Sequence, residues 1–448
     1  MSWAAKLTSG SIRGHLISQT LPTIVGVSAI MSIGLVDSYY IGQLGSEQLA
    51  AIAFVFPVTM ALGSLGVGVM VGVNSIVARA LGEGDEEKAA RRANVGFVTA
   101  IAFGLIVGAL LYVGVDPLFR LLQAPDNLLP IISAYMNPFV LGIPLQLSIM
   151  GLNGILRGQG EARKTSYISL TYAGGNWILD PILITGAFGC GGFGIAGAAY
   201  ASLIGWAMGI VMGLILVRRT SLPLNPGLLR KCNLREPITA MMRVAAPAAL
   251  SNSINPVGLS ILTALIASEG AASVAGFGAA GRVQSFALVP LLALSGSIGA
   301  IVGQNWGANQ PERSRQALLY SGMFCVAYGL LTAALLAFGG WWFADFFTDD
   351  PAVIEQFANY LSIAAWGYAG FGLLIVANGA LNAVDRASFA LGQSAARVFL
   401  VMLPAAWLLQ PQMGANGIYT SELIANLVGG LVAATIAWKL LQRDPKQQ

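Results

Sequence analysis

Charged residues are scarce in this sequence. Asp, Glu, Lys and Arg make up 10% of its 448 residues, whereas an ordinary soluble domain has about 25%. Hydrophobic residues make up 56%, which is enough for roughly a dozen membrane-spanning helices of about 20 residues each. The composition therefore excludes a soluble globular protein and predicts an all-α integral membrane protein.

Histidine and cysteine are also rare. The single histidine, His15, precedes the first apolar run, and Cys190, Cys232 and Cys325 are far apart in the sequence. Histidine triads, zinc sites and iron–sulfur clusters need closer sets of such residues. We therefore expect no enzyme activity and no cofactor or structural metal. The net charge of +4 defines no basic domain, so we expect no nucleic-acid partner.

Twelve apolar stretches of spanning length are separated by short polar or Gly/Pro breaks. They run roughly over residues 14–41, 49–79, 92–115, 128–156, 165–187, 195–217, 237–267, 273–305, 316–340, 353–382, 388–409 and 415–440. Twenty of the 24 Lys and Arg residues fall at the termini or in even-numbered loops. By the positive-inside rule both termini are cytoplasmic, so we expect a multi-pass protein of the inner, cytoplasmic membrane.

The second half of the chain repeats the first. Equivalent residues of the two halves are separated by one constant number of positions, the repeat offset. Pro22 corresponds to Pro247, and at the same offset NGIL from Asn153 recurs as NGAL in the second half. Each copy contains six spans. Because six is an even number, the two copies have the same orientation in the membrane. We predict two six-helix lobes, residues 1–224 and 225–448, related by a pseudo-two-fold axis along the membrane normal.

Two acidic residues lie inside predicted spans of the first lobe, although an acid at the centre of a membrane helix costs about 2.5–3.5 kcal/mol. They are Asp37 in the first span and Asp180 in the fifth. Asn176 and Tyr172 precede Asp180 by one and two helical turns, so these three share one helix face. Two carboxyls together out of water suit reversible proton capture, and the same oxygens could bind sodium. Alternatively, each acid could cap or pair with a neighbouring helix.

Other polar or helix-bending residues could belong to the same site. Pro22 lies about four turns before Asp37, so a bend there could respond to the state of the acid, or the proline could be a static kink. Tyr135 and Asn153 in the fourth span could face a cavity or make ordinary hydrogen bonds between helices.

The second lobe contains embedded charges as well. Glu422 lies in the twelfth span, and Arg282 and Arg397 lie in the eighth and eleventh. Intramembrane charges usually line a cavity or pair with one another. The two arginines could therefore line a central cavity or pair with Glu422.

Four strings, in order along the chain, resemble one known family. They are VDSYYIGQLG in the first span, ARALGEGDEEKAAR after the second, LNGILRGQGEARKTSY after the fourth and NWILDPILI in the fifth. With the twelve spans in two halves, they make the whole chain similar to the multidrug and toxic compound extrusion (MATE) transporters. Acids on the first and fifth spans, without a pair on the seventh and tenth, resemble the DinF-like branch.

The resemblance implies secondary active multidrug efflux by antiport. Amphipathic, mostly cationic or aromatic drug-like compounds would leave the cell as protons, or sodium ions, enter by alternating access. The aspartates matching Asp37 and Asp180 would form the coupling site, and Pro22 would be the hinge of the first helix. We assign Asn176 to the coupling site, where sodium would bind with both acids, and the following residues to the network that lines the cavity: Tyr135, Asn153 and Tyr172.

One departure and two alternatives accompany this hypothesis. Ala198, in GIAGAAYAS of the sixth span, stands where related proteins offer a hydroxyl, which favours the proton over sodium as coupling ion. A flippase for lipids or lipid-linked precursors is the alternative function, in which Arg282 and Arg397 would meet an anionic headgroup. A channel or membrane scaffold is the other alternative. We expect a monomer in contact with membrane lipids.

Overall fold

The computed structural model describes residues 5–189, 191–222, 224–231 and 234–442. These residues form helices joined by short turns, and no β-strand occurs among them. The predicted all-α fold is therefore confirmed. Of the three cysteines, Cys325 is buried with a free thiol, and Cys190 and Cys232 lie outside the described residues.

The first half of the chain contains six long helices. They are α1 (Ile12–Gly42), α2 (Ser46–Gly82), α3 (Glu86–Leu121), α4 (Leu129–Gly158), α5 (Ala162–Thr185) and α6 (Ile195–Arg218). Short 3₁₀ turns follow α5 at Ala187–Gly189 and α6 at Pro226–Lys231.

From residue 234 to residue 442, the described part of the second half has nine α-helices, several of which continue one another. They are α7 (Arg235–Ala267), α8 (Ala271–Ala287), α9 (Val289–Gly307), α10 (Pro311–Ala344), α11 (Pro351–Ala364), α12 (Tyr368–Ala383), α13 (Ala387–Ala395), α14 (Leu403–Met413) and α15 (Ala415–Leu441). A 3₁₀ turn joins α11 to α12, and a π-helical segment, Ala396–Met402, joins α13 to α14.

The helices agree with the predicted spans. Within the described part of the chain, ten helices are long and apolar enough to cross a membrane, and the bent pair α8–α9 makes eleven. Helix α5 has 24 residues, about 36 Å at 1.5 Å per residue, so it is long enough to cross about 30 Å of hydrocarbon. Its polar residues, including Asn176 and Asp180, lower its hydropathy. Adding α5 to these eleven gives twelve spans in the described part of the chain.

One helix of the repeat is sharply bent in the second half only. Helix α2 is continuous, whereas α8 and α9 meet at Leu288 with a bend of 43°. Pro290 is the second residue of α9, and its equivalent in the first half, at the repeat offset, is Leu65. A proline removes one helical hydrogen bond and crowds the carbonyl four residues before it, so Pro290 favours a bend at this point of the second copy, although α2 stays continuous through its own Pro57.

The repeat extends to individual backbone conformations. Gly84 and Asn309 are equivalent at the repeat offset, and both have positive φ, at 79° and 57°. Gly160 and Asp385 are equivalent in the same way and have φ of 74° and 64°. Since glycine, asparagine and aspartate tolerate left-handed φ best, the same turn is kept in both halves with different residues.

The chain forms two compact units. The first consists mainly of Leu21–Ala249, and the second combines Leu7–Thr20 with the residues from Leu250 onward. Met241, early in α7, lies in the hydrophobic core of the first unit, whereas Leu16, early in α1, lies in a core of the second. The boundaries between the compact units lie inside α1 and α7, and the lobes predicted from the repeat, residues 1–224 and 225–448, stay a prediction.

Candidate functional site

Helices α1 and α5 of the first unit lie side by side and run in the same direction. The hydroxyl of Ser166 on α5 donates a hydrogen bond to the backbone carbonyl of Pro22 on α1. Farther along both helices, Trp177 Nε1 donates to Ser32 Oγ at 3.1 Å. Because residue numbers increase together along the two helices, the helices are parallel in this seam.

The seam between α1 and α5 is lined by small and apolar side chains. A Cβ atom added at Gly26 would lie 3.3 Å from the Cα of Ser166, so the two backbones approach closely there. Ala29 and Ile33 pack against Ala173 in a small hydrophobic cluster separate from the main core of the unit. Helix α1 is thus held along α5 by a narrow contact.

The register of the seam brings the two predicted acids together. Asp37 follows Pro22 by about four helical turns, and Asp180 follows Ser166 by about the same distance along α5. Asp180 is fully buried and Asp37 is half-buried. The two carboxyl groups are close enough to interact electrostatically. The structure therefore places the two acids close together, and their role as a coupling site stays a prediction.

The carboxyl pair lacks hydrogen-bond partners and counter-ions within the described residues. Neither oxygen of Asp180 accepts a hydrogen bond there, nor does Oδ1 of Asp37. No Lys or Arg of the described chain forms a salt bridge with either acid. Facing carboxylates out of water repel each other and are poorly solvated. The arrangement can therefore hold a shared proton or a small cation.

Two tyrosines interact with the acid pair, and further aromatic rings pack against them. Tyr135 on α4 and Tyr172 on α5 both interact electrostatically with the two acids. Tyr135 stacks on Phe139 with ring centroids 5.4 Å apart, and Phe139 meets Trp206 of α6 edge-on at 5.3 Å. Phe139 and Trp206 were not predicted as site residues, although Phe139 lies one turn after Tyr135. Phe139 and Trp206 thus form an apolar aromatic group behind Tyr135.

Asn176 faces helix α6. Its Nδ2 donates to the backbone carbonyl of Tyr172 at 2.9 Å, and its Oδ1 accepts from Ser202 Oγ of α6 at 3.3 Å. A Cβ atom added at Gly205 would overlap Asn176 Nδ2, so the amide fits against α6 only because residue 205 is glycine. Asn176 shares a helix face with Asp180, but both ends of its amide already have protein partners.

Ser202 supplies a hydroxyl that was not among the predicted site residues. It lies one helical turn after Ala198 on α6, and both residues are buried. Ala198 has no side-chain oxygen, whereas the oxygen of Ser202 is bonded to Asn176. Helix α6 therefore does carry a hydroxyl. It belongs to Ser202, one helical turn after Ala198, the position where the resemblance would place it.

Asn153 is not brought to the acid pair. Helix α4 is continuous between Tyr135 and Asn153. The two residues are about five turns apart, which corresponds to about 27 Å along the helix axis. Since Tyr135 interacts with the acids, Asn153 lies far from them. Its side chain is 5% exposed, and its Oδ1 has no hydrogen-bond partner in the described chain.

Pro22 lies inside a continuous helix. Helix α1 runs from Ile12 to Gly42 without interruption, and Pro22 has no N–H to bond the carbonyl of Ser18. The carbonyl of Pro22 accepts from Ser166 of α5. The proline thus marks the point where α1 has a missing backbone bond and a contact with the helix that carries Asp180.

The embedded charges of the second unit differ in their surroundings. Arg282 is exposed, whereas Arg397 and Glu422 are buried. Arg397 donates to the side-chain carbonyls of Asn426 and Asn255, and its guanidinium lies over the ring of Phe371. Glu422 is hydrogen-bonded to Gln284 and Tyr360. Among the described residues no salt bridge joins it to Arg397.

Metal ligation has little support in the part of the chain that the structure describes. No group of three or more His, Cys, Asp or Glu side chains there could hold a metal ion. The acid pair provides two carboxylates, fewer oxygen ligands than a dedicated calcium or magnesium site uses.

Comparison with known proteins gives consistent matches along the whole chain. The family model MatE matches residues 22–182 and 247–408, which reproduces the offset between the two halves. The FAD transporter of Shewanella oneidensis is 34% identical, covering 97% of this chain and 96% of that protein. The probable multidrug resistance protein NorM of Deinococcus radiodurans is 28% identical, covering 93% and 92%. The crystal structure of a mutant of the Vibrio cholerae MATE transporter VcmN superposes with a TM-score of 0.92 at 28% identity, covering 98% of this chain and 99% of that one.

Proposed function

The chain belongs to the MatE family, whose members are transporters, and from this premise we propose that it is a proton-driven exporter of amphipathic compounds. Asp37 and Asp180 would hold the coupling proton. The site would open alternately to the two sides of the membrane, and substrate would leave as a proton enters. We place the protein in the inner membrane as a monomer surrounded by lipid, with both termini in the cytoplasm.

The observation that carries this proposal is the buried carboxyl pair. Asp37 and Asp180 interact with each other, and their unpartnered oxygens have no cation of the described protein to neutralise them. A shared proton removes the repulsion and provides the missing hydrogen bond between the two carboxyls. Coupling then requires that the proton and the substrate each bind one conformational state better than the other.

A proton fits the site better than a sodium ion does. Sodium would need several oxygen ligands, and the nearest polar side chain on α5, Asn176, already uses its Oδ1 to accept from Ser202. Ala198 offers no oxygen. Sodium coordination would therefore require the Ser202–Asn176 bond to break, whereas a proton requires only the two carboxyls.

The aromatic residues near the acids support the coupling site and not a substrate site. Tyr135, Phe139 and Trp206 are between 3% and 7% exposed, so a drug-sized molecule cannot reach them in this state. Asp180 is itself 0% exposed, and removal from water strengthens the electrostatic effect of one bound proton.

Two substrate classes compete within this proposal. Multidrug relatives favour amphipathic cationic or aromatic compounds, which is our first candidate. The 34% identical relative is named an FAD transporter, which favours a flavin nucleotide, an aromatic ring system attached to anionic phosphates, as the second. A lipid flippase remains the alternative that the sequence analysis named.

The test uses the full-length protein in liposomes. Efflux of a cationic dye and of FAD is measured under an imposed pH gradient and then under a sodium gradient. We expect the pH gradient to drive efflux, and Asp37→Asn and Asp180→Asn to lower it at least tenfold. Asp126→Asn, whose carboxyl is 90% exposed, is the matched control and should resemble wild type.

Each outcome of this test decides one part of the proposal. FAD efflux without dye efflux would replace the multidrug substrate with a flavin nucleotide. Efflux driven by sodium alone would overturn the proton assignment. Equal activity of both aspartate variants and wild type would remove the carboxyl pair from the mechanism, and scrambling of a labelled lipid without efflux of either compound would support the flippase.

A further inference from the structure

A closed ring of three polar side chains is buried in the second unit. Gln284 of α8, Tyr360 of α11 and Glu422 of α15 are 8%, 0% and 4% exposed. Gln284 Nε2 lies 3.0 Å from Glu422 Oε1, the Tyr360 hydroxyl lies 2.9 Å from Glu422 Oε2, and the same hydroxyl lies 2.8 Å from Gln284 Oε1. Every pair of the three side chains is therefore at hydrogen-bond distance.

The number of protons in this ring determines the state of Glu422. Three hydrogen bonds need three donated protons. The Gln284 amide donates one, in its contact with Glu422, and the Tyr360 hydroxyl donates one. The third must come from the carboxyl group of Glu422. Exchanging the nitrogen and oxygen of the Gln284 amide does not alter this count, because each end of the amide still makes one contact.

An ionised Glu422 would leave the ring one proton short. The Tyr360 hydroxyl would then donate either to Glu422 or to Gln284, and the other contact would set two acceptor oxygens against each other. Such a contact is costly in a buried site, where the water that would solvate the spare acceptor is excluded. A proton on Glu422 lets the three bonds run in one direction around the ring.

We propose that Gln284, Tyr360 and Glu422 form a proton-binding site in the second unit, with Glu422 carrying the proton in the conformation described here. The ligand is a single proton. The site shares no residue with the Asp37–Asp180 pair, so it does not depend on the function proposed for that pair. A transporter with both sites would take up protons at two separate places in the chain.

The groups around Glu422 allow the proton to leave again. Arg397, from the π-helical segment, acts electrostatically on Glu422 without a direct bond, so its positive charge would balance the carboxylate after proton release. Tyr368 of α12 also interacts with Glu422, and its buried hydroxyl has no hydrogen-bond partner in the described chain. Tyr419 packs edge-on against Tyr360 at 5.2 Å, and its hydroxyl donates to Gln356.

The internal repeat places this ring where the first unit has its own polar site. At the repeat offset Tyr360 is the equivalent of Tyr135, the tyrosine that interacts with Asp37 and Asp180. Gly194 and Gly414, which precede α6 and α15, have nearly the same backbone angles, with φ of 59° and 58°. Counted from these glycines, Glu422 corresponds to Ser202, the partner of Asn176.

Infrared spectroscopy of the full-length protein in lipid tests the proposal. A protonated carboxyl has a carbonyl band separate from those of carboxylates, and the band shifts in D₂O. We expect such a band near neutral pH in wild type and its loss in Glu422→Gln. The amide of this variant can replace the acid as donor to Tyr360, so the fold should be kept. Glu355→Gln, which changes an exposed glutamate of α11, is the matched control and should retain the band.

Tyr360→Phe gives a second readout. It removes the acceptor of the Glu422 proton, so the band should shift in frequency while its intensity remains. A wild-type spectrum whose difference from Glu422→Gln contains a carboxylate band, and no carboxylic acid band, would overturn the proposal. A band that is lost in Glu422→Gln but unchanged in Tyr360→Phe would overturn the ring as the proton's binding site.

Discussion

At the scale of single residues, the carboxyl pair and the amide of Asn176 beside it differ in their hydrogen bonding. Asp37 and Asp180 have unpartnered oxygens, whereas Asn176 is bonded at both ends. A change at either acid can therefore alter the protonation of the site without breaking a protein hydrogen bond. A change around Asn176 must break one.

The effect on stability of substituting one acid should depend on whether the other acid is present. Because their carboxyls interact directly, the effects of Asp37→Asn and Asp180→Asn on the free energy of unfolding should not add. We expect a coupling free energy of about 0.5–3 kcal/mol, as is usual for residues in contact. Unfolding of the single and double variants in detergent, monitored near neutral pH, measures this quantity.

The control for this cycle pairs Asp180→Asn with Asp126→Asn, an exposed acid. Their effects should add to within about 0.5 kcal/mol, as expected for distant sites. Additive effects in the Asp37 and Asp180 cycle as well would contradict a directly interacting pair.

Gly205 is the residue that lets Asn176 fit against α6. A Cβ atom at position 205 would overlap Asn176 Nδ2 and lie 3.1 Å from the carbonyl oxygen of Tyr172. We expect Gly205→Ala to displace the amide and destabilise the protein by about 1–3 kcal/mol, the usual cost of overpacking, with a loss of transport. Thermal unfolding and dye efflux measure the two effects.

Gly174→Ala is the matched control for this variant. It lies on α5 close to Asn176 in sequence, but a Cβ atom there would have no neighbour within 4 Å. It should fold and transport like wild type. Equal behaviour of the two alanine variants would show that the α5–α6 contact does not position Asn176.

At the scale of secondary-structure elements, the seam between α1 and α5 connects Pro22 to the acid pair. The seam depends on small residues such as Gly26 and Ala29, and α1 contributes only a small hydrophobic cluster to it. A helix held by so narrow a contact can shift along its neighbour at little cost. A displacement that starts at Pro22 would change the distance between the two carboxyls.

Pro22→Ala should slow transport while stabilising α1. The substitution restores the backbone N–H that can bond the carbonyl of Ser18 and removes the clash of the proline ring. We expect at least a several-fold slower efflux with no loss of thermal stability. Pro57→Ala, at an exposed proline inside α2, makes the same backbone change away from the seam and should leave efflux unchanged.

Efflux at the wild-type rate in Pro22→Ala would show that the proline is a static feature of α1. Slower efflux in both proline variants would instead indicate a general effect of helix stiffness. Only a difference between the two variants supports a hinge at the seam.

At the scale of the whole molecule, hydropathy and charge predicted the helices because membrane spans are defined by local sequence. The acid pair was predictable for the same reason, since a carboxyl inside an apolar span stands out. The bend near Pro290 is also favoured by a local feature, but it became clear only when α2 and α8–α9 were compared. The division of α1 and α7 between the two units depends on tertiary packing, which the sequence pattern does not record.

The surroundings of the sites were less predictable than the acids themselves. Asn153 was grouped with Tyr135 because both are polar residues of one span, although five turns of helix separate them by about 27 Å. Glu422 was marked by the sequence as an acid inside an apolar span. Its partners Gln284 and Tyr360 come from other helices, as Trp206 does in the first unit, so no local pattern connects these residues to their sites. The recurrence of Tyr135 as Tyr360 at the repeat offset is a further signal that could have connected Tyr360 to a polar site.

The most direct test of the central claim counts protons during transport. Full-length protein is reconstituted in liposomes with a pH-sensitive dye inside, and substrate movement and proton movement are recorded together for wild type, Asp180→Asn and Asp126→Asn. We predict that wild type and Asp126→Asn move protons against substrate in a fixed ratio, and that Asp180→Asn does not. Substrate transport without proton movement in wild type, or unchanged proton exchange in Asp180→Asn, would contradict the account.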